Sequence, residues 1–187
     1  MRQLKSDDNG FTGLEAAIVL IAFVVVAAVF SYVVLGAGFF TTQKSQETVY
    51  KGVEQASTNI QMIGNVYGLS STPTSGINEI RFSIGLAPGA PSIDLTKLKI
   101  VFSTPATTPV TLAQGATAST SVFTTKLNGA GSSLASMDQN QQIEIDFLVT
   151  PVAANTRMTI ELRPSVGAAL PFAKTAPATI TNTNVLY

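Results

Sequence analysis

The chain opens with a short polar stretch and then changes abruptly to an apolar segment. From Ala16 to Gln43 no residue is charged, and large apolar side chains follow one another with few interruptions. A helix rises about 1.5 Å per residue, so this segment spans about 42 Å, which exceeds the roughly 30 Å hydrocarbon core of a bilayer. A helix that is apolar on every side is buried on every side. The pattern therefore predicts a helix that lies in lipid or among similar helices.

The apolar pattern narrows to a single stripe after this segment. Apolar residues now recur every three or four positions, at Val49, Val53, Ala56, Ile60, Ile63 and Tyr67. This spacing is typical of a helix with one covered face. We therefore expect one helix from about Gly13 to Tyr67, whose second half rests on the following domain. Gly36 and Gly38 interrupt it, either as a local weakening of the helix or as a point of close helix–helix approach.

The period changes to two beyond Gly68. Apolar and polar residues alternate over the ranges 80–86, 98–102, 143–149 and 157–163, with weaker signals at 109–113, 121–127 and 178–187. Alternating segments bounded by Pro, Gly and Asn predict half-buried antiparallel strands. Seven or eight short strands favour a β-sandwich of the immunoglobulin type. The expected fold class is thus α+β, with a long apolar helix followed by an antiparallel β-sandwich over residues 69–187.

Composition adds limits on function. Charged residues make up 12% of the chain, about half the usual share of roughly 25%, and the 11 acids balance the 11 bases. This balance gives no indication of a nucleic-acid partner. With no Cys and no His, the chain lacks the commonest general base and the commonest metal ligands. We predict no enzymatic activity and no cofactor.

One acidic pair is a weak candidate for a metal site. Glu144 and Asp146 lie two residues apart on a predicted strand, so their side chains share its outward face. Carboxylate oxygens are ligands for a hard cation such as Ca²⁺. The alternative, which we favour, is an ordinary solvated strand face, and we predict no metal site.

The border between the polar and apolar segments carries the most specific motif. A polar leader ends at Gly10, and Phe11 and the run Thr12-Gly13-Leu14-Glu15 precede the uninterrupted apolar helix. This arrangement resembles the class III signal peptides of type IV pilin-like proteins, which a dedicated membrane peptidase cuts after the Gly. With the helix "GLEAAIVLIAFVVVAAVFSYVVLGAGFF" and a β-rich remainder, the chain resembles an archaeal flagellin, or archaellin.

The resemblance implies a domain organisation and a function. Residues 1–10 are a leader that is cleaved, residues 11–68 a helix that forms a membrane segment before assembly and the filament core afterwards, and residues 69–187 an outer domain. The implied function is the structural subunit of the archaellum, a rotating extracellular filament used for swimming and often for adhesion. Its partners are further copies of itself, the signal peptidase, the membrane before assembly and the archaellum assembly machinery.

Glu15 is the one charge inside the start of the apolar helix. Cleavage at the Gly10–Phe11 bond creates an α-amine four residues before it, and residues i and i+4 are neighbours on a helix. We expect Glu15 to pair with the Phe11 amine of its own or a neighbouring chain, or else to mark the membrane boundary or a peptidase contact. The assembly contacts expected beside it are Leu14, Ile18, Ile21, Val25, Phe30 and Phe39.

Two other readings of the same pattern stay open at this point. A type IV-like adhesion pilin has a similar leader and helix, although the pair of C-terminal cysteines found in pilins is missing here. A surface domain held by a single transmembrane anchor would also contain such a helix, but it would keep its original N-terminus.

Overall fold

A computed structural model describes residues 8–72, 75–131 and 133–187, and for residues 8–12 the backbone alone. The chain divides between Tyr50 and Lys51 into two compact units. The first is helical, and the second contains the end of the helix and the β-strands.

Helix α1 spans Asp8–Ser57 without a break. It confirms the long apolar helix, but it ends at Ser57, so the expected continuation to Tyr67 is wrong. At its end the Thr58 backbone N–H and Thr58 Oγ1 both donate to the Glu54 carbonyl oxygen, at 2.9 and 2.7 Å. These bonds satisfy one of the carbonyl groups at the helix end, where backbone partners run out, and the polar sequence Ser57-Thr58-Asn59 marks the exit from the helix.

The residues after this end form strand β1, Ile60–Leu69. Ile60, Ile63 and Tyr67 fit a helical spacing by coincidence, but β-branched residues and two glycines within ten positions favour a strand over a helix. Gly64 has a φ of 75° and lies where the pairing of β1 with its neighbour shifts register. A Cβ added at Gly68 would lie 2.8 Å from Ile77 Cδ1 on the neighbouring strand, so a larger residue there would have to displace the buried Ile77 side chain.

Within the described residues, ten further strands follow, together with a short 3-10 helix. The strands are β2 (Ile77–Leu86), β3 (Ile93–Asp94), β4 (Lys99–Thr104), β5 (Thr107–Gln114), β6 (Val122–Leu127), β7 (Ser136–Met137), β8 (Gln142–Val152), β9 (Arg157–Arg163), β10 (Leu170–Thr175) and β11 (Thr183–Leu186). Every alternating segment identified in the sequence overlaps one of them. The 3-10 helix is Leu95–Lys97.

Nine of these strands form one sheet in the order β10-β9-β4-β5-β6-β8-β2-β1-β11, and β3 and β7 form a two-stranded sheet. All pairings are antiparallel except the one between β5 and β6. That parallel contact is short, with Ala113 opposite Val122 and Gln114 opposite Phe123. It joins the two halves of the sheet at a single narrow place, so the halves can face each other.

Aromatic contacts show that the halves do face each other. The Phe82 ring on β2 lies 5.3 Å from the Phe172 ring on β10, and Phe102 on β4 lies 6.0 Å from Phe147 on β8, centroid to centroid. At the far edges, Thr175 and Tyr187 exchange two backbone hydrogen bonds, of 2.6 and 3.3 Å. The sheet thus folds into two layers over one core, which confirms the predicted helix followed by a largely antiparallel β-domain.

The core consists mostly of the apolar positions of the alternating strands. Its largest fully buried side chains include Phe82, Phe123, Phe147, Ile80, Ile84 and Ile100. Strand β10 was not expected, because Pro171 and the mostly half-buried side chains of "LPFAKT" give no clean alternation. Proline is tolerated there because β10 is an edge strand of the sheet.

A charged cluster lies on an outer face of the β2–β8–β6 part of the sheet. Arg81 Nη2 lies 2.7 Å from Glu79 Oε1 and 3.3 Å from Asp146 Oδ2, and Arg81 Nε lies 3.6 Å from Glu144 Oε1. Lys126 Nζ is 3.9 Å from the same Asp146 oxygen. The Asp146 side chain is only 9% exposed, and its Oδ1 atom has no hydrogen-bond partner among the described residues.

Within this cluster, Glu79 is an acidic side chain whose pKa is raised. Burial raises the pKa of its carboxyl, a hydrogen bond and charge repulsion from Asp146 raise it further, and Arg81 partly opposes the change. The folded chain therefore binds the Glu79 proton more tightly than the unfolded chain does. This contributes stability that is fully present below about pH 4.5, the usual pKa, and is lost as the pH rises through the folded-state pKa.

We expect Glu79→Gln to remove this loss of stability at higher pH. The free energy of unfolding of the variant, relative to the natural chain, should increase as the pH is raised from 4.5 toward neutrality, measured by urea unfolding at a series of pH values. Glu161→Gln is the matched control of opposite sign, because its hydrogen bond from Arg163 lowers the pKa of Glu161. That variant should lose relative stability as the pH rises toward 4.5. If the free energy of unfolding changed with pH in the same way for all three proteins, the pKa shifts described for Glu79 and Glu161 would be wrong.

Candidate assembly surface on the long helix

The described side chains of α1 between Gly13 and Gln46 are all exposed in the single chain. Large apolar side chains dominate this surface: Leu14, Ile18, Val19, Leu20, Ile21, Phe23, Val24, Val25, Val26, Val29, Phe30, Tyr32, Val33, Val34, Leu35, Phe39 and Phe40. Their exposed fractions run from 53% to 82%. The β-domain, by contrast, buries most of its large apolar side chains in its own core.

Such a surface is far from stable in water. Full burial of these 17 side chains is worth about 25–50 kcal/mol as an upper value, at about 1.5–3 kcal/mol each. By length and composition, the segment Gly13–Ser57 is able to cross a membrane. The helix therefore requires an apolar environment on all sides, either lipid or other apolar helices.

Helical geometry separates the predicted assembly residues into two groups. At 3.6 residues per turn, Leu14, Ile18, Ile21, Val25 and Phe39 lie along one face of α1, because they are spaced by threes, fours and sevens or multiples of these. Phe30 falls on the other side of the helix. The assembly surface is therefore not one stripe, and contacts from at least two directions are needed to cover it.

The predicted processing site lies in the first turns of α1. Gly10 and Phe11 are helical, whereas residues 1–7 of the predicted leader lie outside the described residues. Glu15 follows Phe11 by four residues on the same helix and is exposed. It is the sole charged residue among the described side chains from Gly13 to Gln43, which gives a carboxylate at the boundary of the apolar surface.

Hydroxyl groups near the end of the apolar span are a feature that the hydrophobic pattern does not reveal. Thr41 Oγ1 donates to the Ala37 carbonyl oxygen at 2.8 Å, and Thr42 Oγ1 donates to the Gly38 carbonyl oxygen at 2.9 Å. Such bonds are a common way for a Thr within a helix to satisfy its hydroxyl. The sequence signal was available, since Thr at any helical position has a carbonyl four residues earlier.

The candidate metal site at Glu144 and Asp146 has its negative charge balanced by basic side chains. Arg81 stands opposite Asp146 in the β2–β8 pairing, and Lys126 stands opposite Glu144 in the β6–β8 pairing. No group of three or more acidic side chains suited to a metal ion occurs in the described part of the chain. Asp146 is buried by its neighbours, so the expected solvated strand face is wrong for this residue.

Comparison with known proteins identifies the family. The family model for archaeal-type flagellin matches residues 10–173. The chain is similar to probable flagellin 2 of Archaeoglobus fulgidus, with 37% identity over 205 aligned positions that cover 97% of this chain and 96% of the relative. It also matches probable flagellin 1 of the same organism, with 56% identity over 105 residues, which are 56% of this chain and 51% of the relative.

A solved structure extends the similarity to three dimensions. The chain is similar to the subunit in the structure of the archaeal flagellum of Methanospirillum hungatei strain JF1, with a TM-score of 0.75 and 34% identity. The match covers 94% of this chain and 99% of that one. Flagellins of this type are structural proteins, which confirms the expectation that the chain is not an enzyme. The chain therefore belongs to the archaeal-type flagellin family.

Proposed function

We propose that this chain is the structural subunit of an archaeal flagellum and that α1 forms the core of an extracellular filament built from many copies. The observation that carries the proposal is the apolar surface of α1, which is exposed on all sides in the single chain and is joined to a β-domain with its own core. The similarity of the whole chain to the flagellum subunit of Methanospirillum hungatei supports it.

Polymerisation buries the apolar surface of the helix and leaves the β-domain folded around its own core. Identical subunits that meet through two different surfaces form an open helical polymer when the contact does not close into a ring. The two separate faces of α1, one with Ile18 and Val25 and the other with Phe30, provide such surfaces. The β-domain stays folded through its own core and forms the outer part of the filament.

Before assembly, the same helix needs a bilayer. We infer that the precursor is held in the cell membrane by α1 and that a prepilin-type signal peptidase cuts the Gly10–Phe11 bond. Cleavage removes the polar leader and leaves the apolar helix attached to the β-domain. The archaellum assembly machinery then transfers the helix from lipid into the growing filament, and motility and adhesion are properties of the finished polymer.

Glu15 gives the assembled helices a specific contact. A carboxylate in an apolar environment is costly unless it is paired, and a negative charge near a helix N-terminus is favoured by the helix dipole. After cleavage the Phe11 amine is positive and lies one turn away. Pairing of Glu15 with this amine, on the same or a neighbouring chain, sets the register of the subunits.

Removal of the gene tests the function directly. In a host strain without a second flagellin gene, we expect deletion to abolish filaments and swimming, and re-expression of the natural chain to restore both. Val25→Asp should fail to restore them, because an unpaired carboxylate in the filament core costs several kcal/mol. Val185→Asp, on an exposed strand position of the β-domain, serves as the control. Filaments and swimming in the deletion strain would overturn the proposal.

The N-terminus of the mature protein tests processing. N-terminal sequencing or intact-mass measurement of purified filaments should give a chain that begins at Phe11. Gly10→Val should keep the leader, since the Gly is the residue that the peptidase is expected to require, and filaments should then be lost. A mature protein that still begins at Met1 would contradict the cleavage.

The pairing of Glu15 has its own test. Glu15→Gln keeps the size of the side chain but removes its charge, so we expect normal cleavage and at least a roughly tenfold decrease in filaments per cell by electron microscopy, the factor that a loss of about 1.4 kcal/mol produces. Glu54→Gln, in the polar part of α1, is the matched control and should assemble normally. If Glu15→Gln is cleaved and assembled like the natural chain, the pairing is wrong.

A further inference from the structure

The charged cluster on the outer face of β2, β8 and β6 contains one carboxyl group more than its basic side chains balance. Arg81 and Lys126 supply two positive charges, and Glu144 and Asp146 on β8 match them. Glu79 on β2 adds a third carboxyl group, whose Oε1 atom lies 2.7 Å from Arg81 Nη2. With all of these groups ionised, the cluster would keep one uncompensated negative charge.

Asp146 has a carboxylate oxygen that lacks a hydrogen-bond donor. Its side chain is only 9% exposed, and its Oδ2 atom lies 3.3 Å from Arg81 Nη2. Its Oδ1 atom is closed off from solvent and has no hydrogen-bond partner among the described residues. The hydroxyl group of Thr124, directly opposite on β6, donates to the backbone carbonyl oxygen of Asp146 instead, at 3.4 Å. A buried acceptor without a donor is costly, so Oδ1 requires one.

That donor has to come from within the cluster. A water molecule or a cation needs space beside the oxygen, and the closed surroundings of Oδ1 keep out both, as well as the side chains of neighbouring copies. Arg81 directs Nη2 to Glu79 and to Asp146 Oδ2, and its Nε lies 3.6 Å from Glu144 Oε1. Strand β1 has no charged residue and places Tyr67 opposite Arg81 rather than opposite Asp146. Glu79 is the remaining group that is able to donate.

We propose that the cluster binds one proton, which Glu79 holds and donates to Asp146 Oδ1. The two carboxyl groups are close enough to hydrogen-bond each other, and two ionised carboxylates cannot do so, because both only accept. A protonated Glu79 still accepts from Arg81 Nη2 through Oε1, while its hydroxyl group donates to Asp146. The same proton cancels the surplus negative charge.

The raised pKa of Glu79 agrees with this arrangement. Burial, the hydrogen bond with Asp146 and charge repulsion from Asp146 all favour the protonated form of Glu79. Burial is the largest of these causes, so burial alone is the competing explanation. When the proton leaves, Asp146 Oδ1 loses its donor and the surplus charge appears between β2 and β8. This proton site goes beyond the filament function proposed above and does not depend on it.

Carbon-13 labelling of the glutamate carboxyl groups tests the proposal on the full-length chain in detergent micelles. The Glu79 signal, assigned by its loss in Glu79→Gln, should titrate above the usual pKa of 4.5. Asp146→Asn removes the carboxylate that shares the proton, so the midpoint for Glu79 should move down toward the usual value. Glu144→Gln is the matched control, because it removes one negative charge from the same cluster but keeps the pair of Glu79 and Asp146. In this control the midpoint should stay raised.

A second measurement on the natural sequence covers the case in which Asp146→Asn does not fold. Infrared difference spectra between the natural chain and Glu79→Gln, recorded about one pH unit above the usual pKa, should contain the carbonyl band of a protonated carboxyl group. The difference between the natural chain and Glu161→Gln should lack this band, because the hydrogen bond from Arg163 lowers the pKa of Glu161.

The possible results either support the shared proton or overturn it. A midpoint for Glu79 that falls in Asp146→Asn but not in Glu144→Gln supports it. A midpoint that is the same in Asp146→Asn and the natural chain leaves burial as the cause and overturns the proposal. An equal decrease in both variants, or the absence of the protonated carboxyl band, overturns it as well. These measurements do not require filaments, so each result leaves the proposed function intact.

Discussion

The constraint on which the structure depends is the removal of α1 from water. Its 17 large apolar side chains cover the helix on every side, and within the described chain they stay exposed. The helix therefore needs lipid or neighbouring copies at every stage of its existence. In the function proposed above, membrane insertion and polymerisation are successive ways to meet this one requirement.

The β-domain meets the opposite requirement, because it has to stay folded whether or not neighbours are present. Its sheet folds over so that Phe82 faces Phe172 and Phe102 faces Phe147, and the backbone bonds between Thr175 and Tyr187 join its two edges. At the place where the two edges are joined, fewer N–H and C=O groups are free to pair with other strands. The domain can thus remain separate beside many identical copies.

Polar groups give specificity that apolar burial alone lacks. Apolar contacts tolerate sliding of one helix along another, whereas a charge or hydroxyl in an apolar environment is satisfied at only a few positions. Glu15 near one end of the apolar span, and the hydroxyl groups of Ser31, Tyr32, Thr41 and Thr42 toward the other, are polar groups of this kind. In the β-domain, Arg81 has a comparable role among three carboxylates, where it fixes the pairing of β2 with β8.

The sequence alone determined the long apolar helix, the β-rich remainder and the family resemblance, because each depends on local period or on a contiguous motif. It did not determine where the helix ends, since Ile60, Ile63 and Tyr67 satisfy helical spacing although they lie in a strand. Only pairing with β2 and β11 makes residues 60–69 a strand. Likewise, the burial of Asp146 and the edge position of β10 follow from long-range contacts. The local hydrophobic pattern determines a helix or strand when the apolar residues fit only one of the two periods. Where they fit both, pairing with other strands in the tertiary structure decides.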